Sequence, residues 1–414
     1  MCRALVSFAV AAALAACGRD PAVLAPDLGR EGTSLQAAPA PTRWEVGFTA
    51  SADLARQILG AGAWPSTGLE LDLDPESVGR FDVSFQDDTG RSLAYGDTPF
   101  VAVAQLPGRR LSLFVQRRGE LARPSPDLDA RTAPLLAVAG ERLLIVGGGD
   151  GALAAHDLAL GIGLARQSLA FVPQALGATP SALFGASGGQ LVRFDLQTAE
   201  TSDAALPSGV VAAELAGAPM LPYGNGFAWV GPARAGEGSS AIVFVDDASV
   251  QSTRIPETRA DLRVATLADG ALLLVGEGVA FRAGTDGVTP YPLPALTTLE
   301  AVAVLADGTV LAATRAEGVV TIQRVAAGCD ATCTPEPLGA LPCVARLQLA
   351  SLGSEALLAC DDEGGQTRAF RLGPSPVELA LREARRGATL VRLGPAAAAL
   401  VGGGSASFER YRPL

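Results

Sequence analysis

The sequence predicts an all-β protein in which an N-terminal β-sandwich precedes a β-propeller of about seven blades. The main observation is a repeat of short hydrophobic runs in residues 130–414, spaced by 38 to 46 residues. The positions that follow these runs are Gly147, Gly185, Gly231, Gly276, Thr314, Cys360 and Gly402. Four short strands in 40–45 residues are typical of a propeller blade. No 3.6-residue period persists, which excludes helical solenoids.

The best-matched copies are Leu267–Gly276 and Leu305–Thr314, which both begin Leu-Ala-Asp-Gly before an apolar strand. The last copy ends after its third strand. An open ring would leave a sheet edge bare, so we expect residues around 119–128 to supply the outer strand of the last blade. Pro124 and Pro126 are compatible with such an edge strand. Residues 120–414 are therefore assigned to a propeller.

Residues 43–119 read as short strands and predict an Ig/Fn3-like β-sandwich. The predicted strands are Trp44–Thr49, Leu69–Leu73, Arg80–Gln86, Arg91–Tyr95, Phe100–Ala104 and Arg110–Gln116. In Arg80–Gln86 apolar and polar residues alternate, as in a half-buried strand, and Asp87–Gly90 is typical of a turn. One helical segment is predicted at Ala52–Leu59.

The N-terminus carries the features of an export signal. Arg3 precedes an apolar stretch, Ala4–Ala16, that is too short to span a bilayer. The segment Leu14-Ala15-Ala16-Cys17 resembles a bacterial lipobox, which implies removal of residues 1–16 and attachment of palmitate-containing lipid to Cys17. The alternative is an ordinary signal peptide with an accidental cysteine. Residues 17–42 are rich in Pro, Ala and Gly, and predict a flexible tether.

Four cysteines remain after export: Cys329, Cys333, Cys343 and Cys360. They allow three pairings. A hairpin centred on Ser351 and Leu352 would place Cys343 opposite Cys360, and Cys329 and Cys333 would then close a short loop. The alternative is a four-thiolate zinc site, although the spacing is not C-x-x-C and exported thiols usually oxidise.

The composition excludes several classes of activity. The formal net charge is −11, which disfavours nucleic acid as a partner. Every basic residue apart from the one histidine is Arg. Without Lys the chain has no Walker-type phosphate loop, Schiff-base lysine or Ser-Lys dyad, and one histidine cannot form a His-x-x-x-His zinc site.

Three local patterns have both a functional and a structural interpretation. Gly147–Ala152 matches the dinucleotide motif G-x-G-x-x-A, but no suitable acid follows it, and the blade repeat explains the match. His156 beside Asp157 fits either a Ser-His-Asp triad or a structural or solvent-facing histidine, and we favour the second interpretation. Glu70, Asp72 and Asp74 share one strand face, either as a Ca²⁺ or acid–base site or, as we expect, as a solvated sheet face.

The Gly pairs in Val146–Gly149 and Val401–Gly404 end strands in the manner of kelch blades. Together with the lipobox, tether and sandwich they resemble kelch-repeat bacterial lipoproteins of the myxobacterial type. Asp157-Leu158 and Phe194–Thr198 also resemble repeats of quinoprotein-like propellers, such as outer-membrane assembly lipoproteins.

These features predict a monomeric, lipid-anchored extracytoplasmic binding or scaffold protein of the outer membrane, on its periplasmic side or at the cell surface. We expect a protein or glycan ligand on the propeller face, no catalysis, and neither cofactor nor metal. The alternatives are a periplasmic envelope-assembly partner and a propeller enzyme, either a glycan lyase or a hydrolase. An enzyme would require acids and arginines that converge at the central funnel.

Overall fold

The computed structural model describes residues 22–50, 54–65, 69–71, 77–105, 110–187, 190–215, 218–231, 240–256 and 262–414. The chain divides into two compact units. Unit 1 contains the residues up to Asp27 together with Gln36–Val115, and unit 2 contains Leu28–Leu35 together with Gln116–Leu414. In the described part of the chain no helix is long and apolar enough to cross a membrane.

Unit 1 is built from two sheets. Its strands are β1 Ala22–Asp27, β2 Arg43–Thr49, β3 Gln57–Ala63, β4 Leu69–Leu71, β5 Val78–Gln86, β6 Ser92–Asp97, β7 Val101–Ala102 and β8 Arg110–Phe114. One sheet has the order β4-β1-β8, the other contains β3-β2-β5-β6, and β7 pairs with β5. Short 3-10 turns lie at Ser34–Gln36, which the unit boundary divides, and at Val103–Gln105. That the two sheets form an Ig/Fn3-like sandwich stays a prediction.

Ordered structure begins earlier than the sequence predicted. Ala22–Asp27, within the predicted tether 17–42, pairs in parallel with Arg110–Phe114 and antiparallel with Leu69–Leu71. Leu24 is 2% exposed. The prediction was wrong here because the strand is short and is stabilised by partners 45 to 90 residues away, which local periodicity does not reveal.

The predicted helix at Ala52–Leu59 was also wrong. Residues 57–59 belong to β3 and residues 54–56 are not helical, while residues 52–53 lie outside the described part. Ala, Leu, Arg and Gln favour a helix, but pairing with β2 decides the structure. A side chain at Gly62 would begin 2.8 Å from Trp44, so this glycine leaves room for the indole ring.

Unit 2 opens with two short strands, β9 Gln116–Arg117 and β10 Leu121–Ala122. Blades 1 to 3 follow. Blade 1 consists of β11 Leu135–Ala139, β12 Leu143–Gly147, β13 Ala152–Asp157 and β14 Ile162–Ser168. Blade 2 consists of β15 Ala175–Ala178, β16 Ala182–Ser187, β17 Gln190–Asp195 and β18 Thr201–Ala204. Blade 3 consists of β19 Met220–Tyr223, β20 Gly226–Val230, β21 Ser240–Val245 and β22 Val250–Ile255, and a 3-10 turn at Ala212–Leu215 precedes it.

Blades 4 to 7 complete the ring. Blade 4 consists of β23 Arg263–Thr266, β24 Leu272–Gly276, β25 Val279–Gly284 and β26 Gly287–Pro290. Blade 5 consists of β27 Leu299–Val304, β28 Val310–Ala316, β29 Val319–Val325 and β30 Glu336–Leu341. Blade 6 consists of β31 Ala345–Leu352, β32 Glu355–Asp361, β33 Thr367–Leu372 and β34 Pro376–Leu379. Blade 7 consists of β35 Ala388–Gly394, β36 Ala397–Gly402, β37 Glu409–Tyr411 and β10.

The seven four-stranded antiparallel sheets confirm the predicted all-β propeller and its blade number. Each repeat position identified in the sequence lies on or directly after the second strand of its blade. The matched copies owe their similarity to the turn chemistry: Asp269 and Asp307 accept hydrogen bonds from the backbone N–H two residues later, and Gly270 and Gly308 have φ near +85°. These hydrogen bonds lower the pKa of both carboxyl groups.

The ring closes as predicted. Leu121 pairs with Tyr411 and Ala122 with Arg410, so residues that precede blade 1 form the outer strand of blade 7. The side-chain amide of Gln116 donates to the carbonyl oxygen of Arg410 at 3.0 Å, and the N–H of Gly119 donates to that of Arg412 at 2.8 Å. Hydrogen bonds therefore join residues 116–122 to residues 410–412 of the C-terminal segment.

A buried ion pair lies within the C-terminal part of blade 7. The side chains of Arg385 and Glu409 are fully buried, and Nε of Arg385 donates to Oε1 of Glu409 at 3.0 Å. The Arg385 guanidinium also donates to the carbonyl oxygens of Gly402 and Ser407. The Glu409 carboxylate accepts from the backbone N–H of Arg382 at 2.8 Å. Both charges are thus paired and surrounded by hydrogen bonds, which a buried ion pair requires.

Both expected disulfides are present, Cys329–Cys333 and Cys343–Cys360. The hairpin that carries the second one differs from the prediction. Leu352 pairs with Glu355, so the turn lies at Gly353-Ser354 rather than at Ser351-Leu352. A bulge between Ala345 and Gln348, with Arg346 at φ 52°, recovers one residue of this shift, and the Cα atoms of Cys343 and Cys360 lie 5.7 Å apart.

Candidate functional site

The first strand of every blade lines a central channel with a cavity volume of about 800 Å³. These strands are β11, β15, β19, β23, β27, β31 and β35. Each pairs with one neighbour inside its own blade, so its other backbone edge faces the channel and its side chains point toward adjacent blades. A volume of this size lies within the usual range of ligand cavities.

Most side chains of the channel are aliphatic, and part of their surface stays exposed. On blades 6, 7 and 1, which are consecutive in the ring, these half-buried residues are Leu347, Leu349, Leu390, Val391, Leu135, Leu136 and Val138. We call this set the aliphatic arc. Exposed apolar side chains concentrated inside a cavity favour an apolar ligand over a fully solvated one.

A charged network lies where the first strands of blades 4 and 5 begin. Nε of Arg263 donates to the backbone carbonyl oxygen of Glu300 at 2.8 Å, and Nε of Arg315 donates to Oε1 of Glu300 at 2.8 Å. Arg315 also reaches the carbonyl oxygen of Cys343. Among the described residues that line the channel, Glu300 is the single carboxylate. Its ion pair ties it to the wall and leaves no carboxylate pair for acid–base catalysis.

Polar side chains also join the first strands of adjacent blades. Gln348 accepts from the N–H of Leu390 at 2.9 Å and donates to the carbonyl oxygen of Ala388 at 3.3 Å, which ties blade 6 to blade 7. The hydroxyl of Ser351 donates to the carbonyl oxygen of Val304 and ties blade 6 to blade 5. These bonds fix the width of the channel, so the cavity is preformed.

Arg392 lines the channel near the end of β35, and Arg263 is the other arginine among the described lining residues. Its Nε donates to the carbonyl oxygen of Gly394 at 3.0 Å. Burial lowers the pKa of Arg392, and the Glu141 carboxylate opposes that effect. No motif in the sequence marks Arg392. The signal that could have found it is its place on the first strand of a repeat, where a charged side chain faces other blades.

The sequence-predicted candidates lie elsewhere. Cys17, Asp72 and Asp74 lie outside the described residues, and for Glu70 the structure describes the backbone of β4 alone. Gly147 ends β12, and the chain turns directly into the antiparallel β13. The dinucleotide interpretation is wrong, because that motif requires a helix after the strand.

His156 is buried in blade 1 at 2% exposure, and its ring packs edge-on against Phe408 at a centroid distance of 5.1 Å. Its Nδ1 has no hydrogen-bond partner among the described residues. Burial lowers the pKa of His156 to about 4, and the nearby charge of Arg410 acts in the same direction while Asp157 opposes it. A neutral imidazole inside a blade is a packing residue, as expected.

The cysteines of the zinc alternative are joined as the two disulfides, so that alternative is wrong. The described residues also hold no group of three or more His, Cys, Asp or Glu side chains placed to bind a metal ion. Asp361 is buried at the end of β32, where its carboxylate accepts a hydrogen bond from the hydroxyl of Thr367.

Comparison with known proteins gives no family for this chain. No family model matches the sequence, and no curated protein matches it. Solved structures that resemble it are β-propeller proteins.

Virginiamycin B lyase from Staphylococcus aureus is 12% identical, with a TM-score of 0.46, and the match covers 71% of this chain and 100% of the lyase. The Cps50 (Swd1) propeller domain of Myceliophteria thermophila is 15% identical, with a TM-score of 0.45 and coverage of 70% and 99%. BBS1N in complex with ARL6DN is 15% identical, with a TM-score of 0.45 and coverage of 72% and 98%. At these identities and scores the likeness carries nothing about function.

Proposed function

We propose that this chain is a lipid-anchored, extracytoplasmic binding or scaffold protein of the outer membrane, with a kelch-like propeller and no catalytic activity of its own. The observation that carries the proposal is the chemistry of the channel. Its wall is aliphatic, and Glu300 is held by Arg315 at 2.8 Å. Such a ring supplies a rigid frame for loops that bind a partner, and it lacks the free acid or base that hydrolysis or elimination needs.

The position of the histidine supports the same conclusion. His156 lies against Phe408 inside blade 1, and its Nδ1 has no hydrogen-bond partner among the residues that the structure describes. The loops at the two faces of the ring are therefore the surfaces on which we propose that a protein or glycan ligand binds.

The anchor is proposed from Leu14-Ala15-Ala16-Cys17, and Gly18 after the cysteine is compatible with sorting to the outer membrane. The test is mass spectrometry of the N-terminal peptide together with membrane fractionation. We expect a triacylated Cys17 and recovery in the outer-membrane fraction, while Cys17→Ser releases the protein. An unmodified Cys17, or a Cys17→Ser variant that fractionates like the wild type, would contradict the anchor.

The scaffold role is tested by crosslinking in live cells, solubilisation in detergent and purification through a C-terminal tag. Stoichiometric recovery of one envelope protein, lost when the Cys17→Ser variant is purified in parallel, is the expected result. Recovery of the lipidated chain alone would contradict a stable protein partner and leave glycans as the ligand class to screen.

A further inference from the structure

The two disulfides of the propeller differ in their exposure. Cys343 and Cys360 are 2% and 1% exposed and belong to the hydrophobic core of blades 5 and 6. Cys329 and Cys333 are half-buried and close the loop between the third and fourth strands of blade 5. Thiol–disulfide exchange requires a thiolate that reaches one of the two sulfur atoms, so an accessible disulfide reacts faster than a buried one. A thiol in solution therefore has access to Cys329–Cys333 and not to Cys343–Cys360.

The two cysteines of this loop have different surroundings. Cys329 packs against the hydrophobic cluster that joins blades 4 and 5 and includes Leu267 and Val325. That cluster does not include Cys333, whose neighbours Thr332 and Thr334 are exposed. The sulfur of Cys333 is therefore the less shielded of the two, and packing holds the sulfur of Cys329 in place if the bond between them opens.

A fixed negative charge lies on the same loop. The Asp330 carboxylate accepts hydrogen bonds from the N–H of Thr332 at 2.9 Å and from its hydroxyl at 2.7 Å, which holds it beside the residue that precedes Cys333. These hydrogen bonds lower the pKa of Asp330. Among the described residues no arginine forms an ion pair with Asp330, whereas Glu336 at the start of β30 has Arg324 at 3.8 Å. Such an anion repels a negatively charged thiol and attracts a positively charged one.

We propose that Cys333 is a reversible thiolation site for small thiols that carry a positive charge. The attacking thiolate forms a bond to Sγ of Cys333 while the Cys329–Cys333 bond breaks. The electron pair of that bond leaves with Sγ of Cys329, which takes up the proton that the attacking thiol released. The reverse attack by Cys329 expels the small thiol and restores the disulfide, so neither direction consumes an oxidant.

The fold tolerates this exchange. The disulfide joins residues 4 positions apart, so opening it removes little of the constraint on the unfolded chain. The site lies on the loop after β29 and goes beyond the proposed scaffold role, because it requires neither the lipid anchor nor a protein partner.

The test compares two small thiols of opposite charge on the purified chain. Cysteamine and 3-mercaptopropionate are each supplied with their own disulfide, at equal thiolate concentrations. Early samples are quenched in acid, free thiols are blocked with N-ethylmaleimide, and mass spectrometry of the peptides locates the adduct. We expect the first cysteamine adduct on Cys333, with Cys329 as the blocked thiol. Cys343–Cys360 in the same digest should react at least about tenfold more slowly.

The charge preference is tested with a matched pair of variants. Cysteamine should react with the wild type at least about fivefold faster than 3-mercaptopropionate. Asp330→Asn keeps an acceptor oxygen for Thr332 and should lower this ratio at least about twofold. The control is Asp246→Asn in blade 3, where the carboxylate accepts from the N–H groups of Ala248 and Ser249 in the same manner; it should leave the ratio unchanged.

Four results would overturn the proposal: no cysteamine adduct, a first adduct on Cys329, equal rates at the two disulfides, or equal rate ratios in Asp330→Asn and Asp246→Asn. None of them bears on Cys17 or on a partner at the loop faces.

Discussion

The ion pair between Arg385 and Glu409 gives the sharpest test of what stabilises blade 7. Glu409 is fully buried and accepts three hydrogen bonds, from Nε of Arg385 at 3.0 Å and from the N–H groups of Arg382 and Glu383 at 2.8 and 3.1 Å. Glu409→Gln keeps the shape of the side chain but removes its charge. The new amide NH₂ group then faces N–H donors that were bonded to a carboxylate oxygen.

The expected cost follows from these contacts. Removing one partner of a buried pair leaves the other charge uncompensated, which destabilises a fold by about 3–5 kcal/mol. Hydrogen bonds to a charged acceptor contribute about 1.5–3 kcal/mol each, and a neutral amide oxygen retains part of that. We therefore expect Glu409→Gln to lower the free energy of unfolding of the propeller by about 4 kcal/mol.

The assay is urea unfolding monitored by the fluorescence of Trp229, in a background where Trp44 and Trp64 are replaced by Phe so that unit 1 is silent. The matched control is Glu378→Gln. Its ion pair with Arg368 is on the surface, with 47% of the Glu378 side chain exposed, and should be worth at most about 1 kcal/mol. If the two variants lose equal stability, the buried pair contributes no more to stability than a surface pair, and the reasoning is refuted.

Three further predictions concern the same unit. Removing the Cys343–Cys360 disulfide, which joins residues 17 positions apart, should lower the free energy of unfolding by about 3 kcal/mol. Removing Cys329–Cys333, which joins residues 4 positions apart, should lower it by less. Variants in which both cysteines of a pair are replaced by Ser, unfolded in urea, measure both effects. Because the folded pKa of His156 is about 4 against 6.5 in the unfolded chain, its contribution to stability is complete above pH 6.5 and is lost as the pH falls toward 4, by about 3 kcal/mol in total. His156→Phe should remove this component, and an unchanged pH profile would contradict the assignment. Gly226→Ala should destabilise blade 3 by more than 1 kcal/mol, because its Cβ would lie 1.9 Å from the carbonyl oxygen of Val245, and a neutral substitution would show that the strand can shift.

Features of the fold that repeat were predictable from the sequence. The strand–turn–strand copies, such as Leu267–Gly276 and Leu305–Thr314, contain Asp-Gly at the turn. This dipeptide fixes the position of the turn and therefore the pairing register of the two strands beside it. The closure of the ring was predictable because seven copies with one strand missing leave a bare edge. Leu121–Ala122 fills that edge.

Features that depend on distant partners were not predictable. Ala22–Asp27 becomes a strand because Arg110–Phe114 lies beside it, and Gln57–Ala63 becomes a strand because β2 does. The turn of the hairpin at Gly353 was predicted two residues too early. The bulge between Ala345 and Gln348 has no sequence pattern from which it could be predicted.

The candidate site was the least predictable part. The charge network of Arg263, Glu300 and Arg315 joins neighbouring blades. No sequence neighbour of Arg392 marks it as a residue of the channel wall. A channel exists only after the ring has formed, so its chemistry combines residues from every copy rather than from one motif. The channel residues can be found from the sequence only when the first strands of all seven repeats are considered together, because these strands form the wall.

Closure of the ring also sets the order in which the propeller can fold. Blades 1 to 6 are meanders whose strands are close in sequence, whereas blade 7 pairs Leu121 with Tyr411, 290 positions (411 minus 121) along the chain. Closing a loop of that size costs about 2 kcal/mol more than closing one of roughly 30 residues. Blade 7 is therefore the last to assemble, and until it does, the Arg385–Glu409 pair cannot form and the unfinished ring exposes strand edges to proteases and to other chains. The time the chain spends with six blades folded, rather than the stability of the finished ring, should decide how much of it survives synthesis.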